Sequence, residues 1–198
     1  MLSINYLAEK SEGIKVKKVI ICFCIIMSLF FVACKGNKDG GGDSGSATPV
    51  ASVDGRWVCV ASTTQSTQIS GTAVNLTVNI NYVIQFAGTN IAVGQTTQSV
   101  ATDPTTSSEV LRTSEILNIA GTCRASGNQL FITPTAASSR ETMSLAGTSV
   151  ADESHSGNEA LPTGYQLNQE GLFGTFVLNG NTMVFTQTGG TALTYTKQ

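Results

Sequence analysis

The chain has 198 residues, only 12% of them charged, and a formal net charge of −2 at pH 7. From Lys35 onward, seven Lys/Arg stand against eleven Asp/Glu, which leaves −4 and no basic patch, so nucleic acid is not expected as a partner. The polar residues after residue 60 are mostly uncharged Thr, Ser, Asn and Gln. This composition favours short strands joined by turns over long amphipathic helices.

Residues 1–33 have the layout of an export signal. Lys15, Lys17 and Lys18 precede the run VIICFCIIMSLFFVA, which is uncharged and ends directly before Cys34. The run has about 15 residues, fewer than the roughly 20 apolar residues that a membrane-spanning helix needs. A basic flank followed by a short apolar core is typical of a secretory signal.

The end of this segment, Phe31-Val32-Ala33-Cys34, resembles the lipobox of bacterial lipoproteins, in which a small residue precedes an obligatory cysteine. The resemblance implies that a signal peptidase cuts after Ala33 and that Cys34 becomes the acylated N-terminus. More than one acyl chain gives stable attachment to a membrane, because each buried CH₂ contributes about 0.8 kcal/mol. Lys35 follows the cysteine, and by analogy with lipoprotein sorting it favours the outer membrane of the cell envelope. The alternatives are a transmembrane anchor and a conventional signal with a chance cysteine.

A tether and one domain are predicted after the signal. Residues 34–52 begin with the acylated cysteine and continue as KGNKDGGGDSGSATPVAS, which has no apolar periodicity. A flexible Gly/Ser-rich segment of this length gives a separation of about 25 Å between the membrane and the domain. The domain is predicted to span residues 53–198.

The strongest strand pattern lies in residues 74–86, where apolar and polar positions alternate, as in a strand with one buried and one wet face. The apolar positions are Val74, Leu76, Val78, Ile80, Tyr82, Ile84 and Phe86. Further strands are predicted at 56–63, 91–100, 115–125, 129–133, 140–146, 172–179, 182–188 and 191–197. Residues 105–117 indicate a helical turn or two, and residues 147–163 indicate an exposed loop.

Two segments of the domain repeat one another. GTCRASGNQLFIT (121–133) and GTFVLNGNTMVFT (174–186) align at an offset of 53, and each has the pattern of two strands joined by a Gly-Asn turn. Turn chemistry alone is the other explanation of the likeness. Successive hairpins predict an all-β fold, an antiparallel meander of about eight or nine strands that closes or nearly closes into a barrel.

Both ends of the domain resemble bacterial lipocalin-like lipoproteins. The opening DGRWVCVAS carries the Gly-x-Trp motif of lipocalin-like barrels on Gly55 and Trp57, and the closing GTFVLNGNTMVFTQTGGTALTYTKQ is similar to their terminal hairpin. The resemblance implies that Trp57 plugs the closed end of the barrel. It also implies that small apolar molecules bind at the other end.

Cys59 and Cys123 are a candidate disulfide. An exported protein folds where disulfides persist, and two strands can be bridged when their Cα atoms lie about 4.4–6.8 Å apart. Closing a loop of about 65 residues stabilises a fold by roughly 3–4.5 kcal/mol in the chain-entropy model. The alternative is a pair of buried thiols.

No enzymatic chemistry is predicted. His155 is the single histidine, and it lies beside Asp152, Glu153 and Glu159, a composition that can bind a divalent metal. A solvated acidic loop is the preferred interpretation. The domain has no Gly-x-Ser-x-Gly elbow, phosphate loop or Cys-x-x-Cys, so no catalytic residue, cofactor or metal site is assigned.

Two functions follow from these predictions. In the first, a membrane-anchored barrel binds a small apolar ligand or lipid in an interior lined by Trp57 and the apolar positions of 74–86. In the second, the barrel is packed shut, and its Thr/Asn/Gln surface contacts envelope or host components. An integral outer-membrane barrel would need aromatic girdles, but aromatic residues make up only 7% of the chain.

Replacing Cys34 with Ala is expected to abolish acylation and membrane attachment, because only the thiol can carry the diacylglyceryl group. Metabolic labelling with a palmitate analogue, followed by membrane fractionation, measures both. Cys24→Ala is the matched control within the apolar core and should label normally. Continued labelling of the Cys34→Ala variant would contradict the assignment.

Overall fold

A computed structural model describes residues 53–69 and 71–198. The export signal, the acylation site at Cys34 and the tether lie outside these residues and stay predictions. Within the described residues, no helix is both long enough and apolar enough to cross a membrane.

The domain is an antiparallel meander of nine strands, as predicted. A short 3-10 helix, η1 (Gly157–Ala160), follows the sixth strand. The strands are β1 (Gly55–Ile69), β2 (Thr72–Ala87), β3 (Asn90–Thr102), β4 (Glu109–Ser126), β5 (Gln129–Leu145), β6 (Thr148–Ser156), β7 (Gly171–Asn179), β8 (Thr182–Gln187) and β9 (Ala192–Lys197).

Two predictions of local structure are wrong. The polar segment predicted as a loop forms β6 and η1, because β5 offers it a backbone ladder that needs no apolar side chains. The predicted helical turn at 105–117 is a tight turn followed by β4. In that turn, the backbone N–H groups of Thr105 and Thr106 donate to Oδ1 of Asp103 at 2.7 and 2.8 Å.

Eight strands close the barrel, and β6 is the ninth. β5 uses one edge for two partners: residues 129–132 pair with β7, and residues 138–145 pair with β6. β7, β8 and β9 then lead back to β1, where β9 pairs with only Trp57 and Val58. We call the part of the barrel completed by β7–β9 the closed half. The remaining part, which β7–β9 do not reach and whose wall ends at β1 on one side and β6 on the other, is the open half.

Apolar side chains fill the closed half. The Trp57 side chain is 1% exposed, its Nε1 donates to the carbonyl of Val53 at 2.6 Å, and Lys197 Nζ lies 5.4 Å from its ring centre. The rings of Phe173 and Phe185 pack with centroids 5.2 Å apart. Other members of this core are Ile84, Phe86, Ile91, Ile119, Cys123, Leu130, Ile132, Phe176, Met183 and Tyr195.

The sequence repeat corresponds to a repeated structure. Both segments form hairpins, β4–β5 and β7–β8, with a glycine of positive φ in each turn. The repeat also aligns Gly121 with Gly174 and Thr133 with Thr186. A Cβ at Gly121 would lie 2.2 Å from the Thr133 carbonyl oxygen, and one at Gly174 would lie 2.3 Å from that of Thr186. Each hairpin therefore bends where only glycine allows the close approach.

Gly174→Ala is expected to destabilise the domain by about 2–3 kcal/mol, because the added methyl group meets backbone atoms that cannot move aside independently. Urea unfolding measures the loss. Gly94→Ala is the matched control, since a Cβ there would have ordinary contact with Asn118 Oδ1 at 3.7 Å. Equal stability of the two variants would show that the bend does not depend on glycine.

Candidate ligand-binding site in the open half

The inner face of the open half carries a row of directly opposed residues on five strands. Ile80 on β2 lies opposite Thr97 on β3, which lies opposite Glu115 on β4. The row continues through Glu141 on β5 to Glu153 on β6. Three neighbouring strands thus place a carboxylate at the same level, where a purely apolar lining was predicted.

A second row lies next to the first, on the side of the closed half. Gln95 Nε2 in this row donates to Thr97 Oγ1 at 3.3 Å, which links the two rows. The second row runs through Cys59, Tyr82, Gln95, Leu117, Ser139 and His155. We call the polar residues of both rows the polar belt: Tyr82, Gln95, Thr97, Glu115, Ser139, Glu141, Glu153 and His155.

The polar belt includes groups with altered ionisation. Burial raises the pKa of Glu115, and the charge of Glu141 raises it further. Burial also raises the pKa of Tyr82, with smaller contributions from Glu115 and Cys59. Glu115 is therefore a partly desolvated carboxyl group inside the barrel, and its neutral form is favoured relative to a carboxyl group in water.

Solvent reaches this inner face through the incomplete wall. Thr63 on β1 and Glu141 on β5 are exposed, and the Glu153 and His155 side chains are 62% and 38% exposed. Beyond the polar belt, buried apolar residues continue the inner face, with Leu76 on β2 among them. The others are Val74, Val78, Ala101 and Leu111. The polar belt, whose edge residues solvent reaches, thus lies between two buried apolar zones.

The structure places all the predicted interior residues on one face of the sheet. Trp57 lies in the core of the closed half with Ile84 and Phe86, whereas Ile80 and Tyr82 are half-buried in the open half. Val74, Leu76 and Val78 are buried beyond the polar belt. The three glutamates were missed, although alternation in 111–119 already sets Glu115 on the same face as Leu111 and Leu117.

The predicted disulfide is absent, since no bond joins Cys59 to Cys123 in the structure. Cys59 lies on β1 and Cys123 on β4, with β2 and β3 between them. Three strand spacings of about 4.8 Å separate these strands along the sheet, beyond the roughly 4.4–6.8 Å that a disulfide allows. Burial, with a smaller effect of Asp54, raises the pKa of Cys123 to about 11.

The acidic residues around His155 do not converge on one point. His155 Nε2 lies 3.9 Å from Glu153 Oε2, and its Nδ1 lies 4.0 Å from Glu159 Oε2. Asp152 lies on the outer face, because successive side chains of β6 point to opposite faces, and its carboxylate pairs there with Arg140 at 2.7 Å. Among the described residues, no three His, Cys, Asp or Glu side chains are arranged to hold a metal ion.

Comparison with known proteins gives no identification: no family model, curated protein or solved structure matches the chain. The closed eight-stranded antiparallel barrel fits a lipocalin-like fold, in agreement with the sequence resemblance at both ends of the domain.

Glu115→Gln is expected to raise the melting temperature near pH 7, because a carboxyl group whose pKa is higher in the folded state destabilises the fold when it ionises. The gain should vanish below the ordinary carboxyl pKa of about 4.3, where Glu115 is protonated in both states. Thermal unfolding across pH measures this.

Asp103→Asn is the control of opposite sign. The backbone N–H groups of Thr106 and Thr105 lower the pKa of Asp103, so its stabilising effect is present at neutral pH and lost on acidification. This variant should melt lower near pH 7. A destabilised Glu115→Gln variant at neutral pH would contradict the burial argument.

Proposed function

We propose that the protein is a membrane-anchored lipoprotein of the cell envelope whose barrel binds a small, mainly apolar ligand or lipid in its open half. Acylated Cys34 holds the chain to the outer membrane, and the Gly/Ser-rich segment holds the barrel away from the surface. The sequence pattern around Cys34 supports the anchor.

One observation supports ligand binding above the others. Side chains fill the closed half, whereas the open half exposes inner-face residues at both edges of its incomplete wall, Thr63 on β1 and Glu153 on β6. The inner face between these edges is buried, as at Val78 on β2 and Ser99 on β3. An eight-stranded barrel is just wide enough to be filled by side chains or to hold one small ligand. We propose that this barrel combines the two arrangements, with a filled closed half and a ligand in the open half.

The lining indicates an amphipathic ligand. Apolar residues flank the polar belt on both sides, and a ligand would place an apolar body against half-buried side chains such as Ile80 and the ring of Tyr82. Its polar end would meet Tyr82, Gln95 and Glu115, which offer hydrogen-bonding groups at mid-height. A ligand end that donates hydrogen bonds suits the carboxylates.

Binding is proposed in preference to catalysis. The raised pKa of Cys123, about 11, keeps its thiol protonated, and a thiol is a poor nucleophile compared with a thiolate. We assign the three glutamates to recognition of the ligand's polar end.

A second candidate function, contact with envelope or host components, is favoured by the outer face. A groove of about 550 Å³ crosses β2–β5 there, lined by small residues such as Gly94 and Ala120 and by the amides of Asn81 and Asn118. Its lining carries no charged residue. This groove could receive a neutral polar partner while the interior stays empty.

Thr63→Trp is expected to abolish ligand binding, because Thr63 lies opposite Val78 on the inner face and an indole there would occupy the open half. Displacement of the neutral dye Nile red, together with mass spectrometry of bound molecules, measures binding. Thr64→Trp, the neighbouring exposed residue on the outer face, is the matched control and should bind normally. Dye binding that survives both substitutions would place the ligand elsewhere and favour the second function.

A further inference from the structure

Among the described residues, one long strand edge of the open half has no partner strand. β1 pairs with β2 along its whole length, from Gly55 to Ile69. On its other edge β9 pairs with only Trp57 and Val58. In the described part of the chain, residues 60–69 therefore have no strand on their outer edge. At about 3.3 Å per residue, this edge is roughly 33 Å long.

The edge is accessible to another molecule. Val60, at its start, is 74% exposed, the highest value among the exposed large hydrophobic residues of the described chain. Ser62, Thr64, Ser66 and Gln68 are exposed as well. An apolar side chain and a row of backbone groups that no strand of the described chain pairs thus lie together at the surface.

The other strand edge of the open half, on β6, is protected. β6 has nine residues, its ladder with β5 is irregular between Met143 and Ser144, and it carries Asp152 and Glu153. A bulge and charged residues are among the means by which proteins prevent edge-to-edge pairing. Residues 60–69, VASTTQSTQI, contain no charged residue, proline or glycine.

The unprotected edge is complementary to itself. Its hydroxyl and amide groups both donate and accept hydrogen bonds, so two identical edges meet without like-charge repulsion. The same side chains already form a cross-strand ladder on the outer face, Ser62 to Asn79 at 2.7 Å and Thr64 to Thr77 at 2.9 Å. If two copies of β6 paired with each other instead, carboxylates of one copy would face carboxylates of the other.

We propose that residues 60–69 pair antiparallel with the same residues of a second copy of this chain. A two-fold axis perpendicular to the sheet relates the two β1 strands and joins the open halves into one continuous sheet. Pairing of an edge with itself closes after two copies, whereas pairing of β1 with β6 would extend without limit. The contact is one strand wide, so dimerisation should be weak and concentration-dependent.

Sedimentation equilibrium of the full chain in density-matched detergent tests the proposal. Between about 1 and 200 µM, the wild-type average mass should rise from one copy towards two. Thr64→Lys and Thr64→Glu should each remain monomeric, because like charges then meet at the axis. An equimolar mixture of the two variants should recover dimers, which a general loss of folding cannot produce.

Thr96→Lys is the matched control, since Thr96 is an exposed threonine on the same outer face but on the internal strand β3. It should dimerise like the wild type. If Thr64→Lys does not fold, judged by its thermal melt, the double variant Ser62→Lys/Ser66→Lys replaces it, because residue 62 of one copy lies opposite residue 66 of the other when Thr64 is at the axis. A wild-type monomer at all concentrations, open-ended assemblies, or dimers insensitive to lysine at these edge positions would overturn the proposal.

Discussion

The architecture depends on how β5 shares one edge between two partners. Its first residues pair with β7 and its last with β6, and between them the strand bends where Gly121 of β4 meets Thr133 and Pro134. The chain between β6 and β7 is fixed at this bend, because the Asn168 N–H donates to the Pro134 carbonyl at 2.7 Å. One shared edge therefore separates a fully walled half from a half whose wall is incomplete.

The two halves have different chemistry for this reason. Where β7–β9 complete the wall, aromatic and aliphatic side chains exclude water, and Trp57 is held through its hydrogen bond to Val53. Where the wall ends, water reaches the inner face, so Glu141, Glu153 and His155 are tolerated there. Glu115 is largely surrounded by protein but has the carboxylate of Glu141 opposite it. Burial therefore raises its pKa, and the charge of Glu141 raises it further.

Sequence patterns were informative where they were local. Alternation in 74–86 predicted the inward face of β2, and Gly-Asn turns predicted two hairpins, because both depend on neighbouring residues. The row Glu115, Glu141, Glu153 could not be predicted, since it depends on the registers of three strands, and β6 has no apolar periodicity. The failed disulfide has the same cause: the strand order that separates Cys59 from Cys123 is a non-local property.

The polar belt is the basis for our proposal that the open half binds an amphipathic molecule, and the proposed anchor at Cys34 would keep that site close to a membrane. Native mass spectrometry of the protein purified from its own membrane tests this claim most directly, provided that solution conditions are mild. The account predicts a population heavier than the acylated chain by the mass of one small molecule, released on unfolding. A single species with the mass of the acylated chain alone would contradict it.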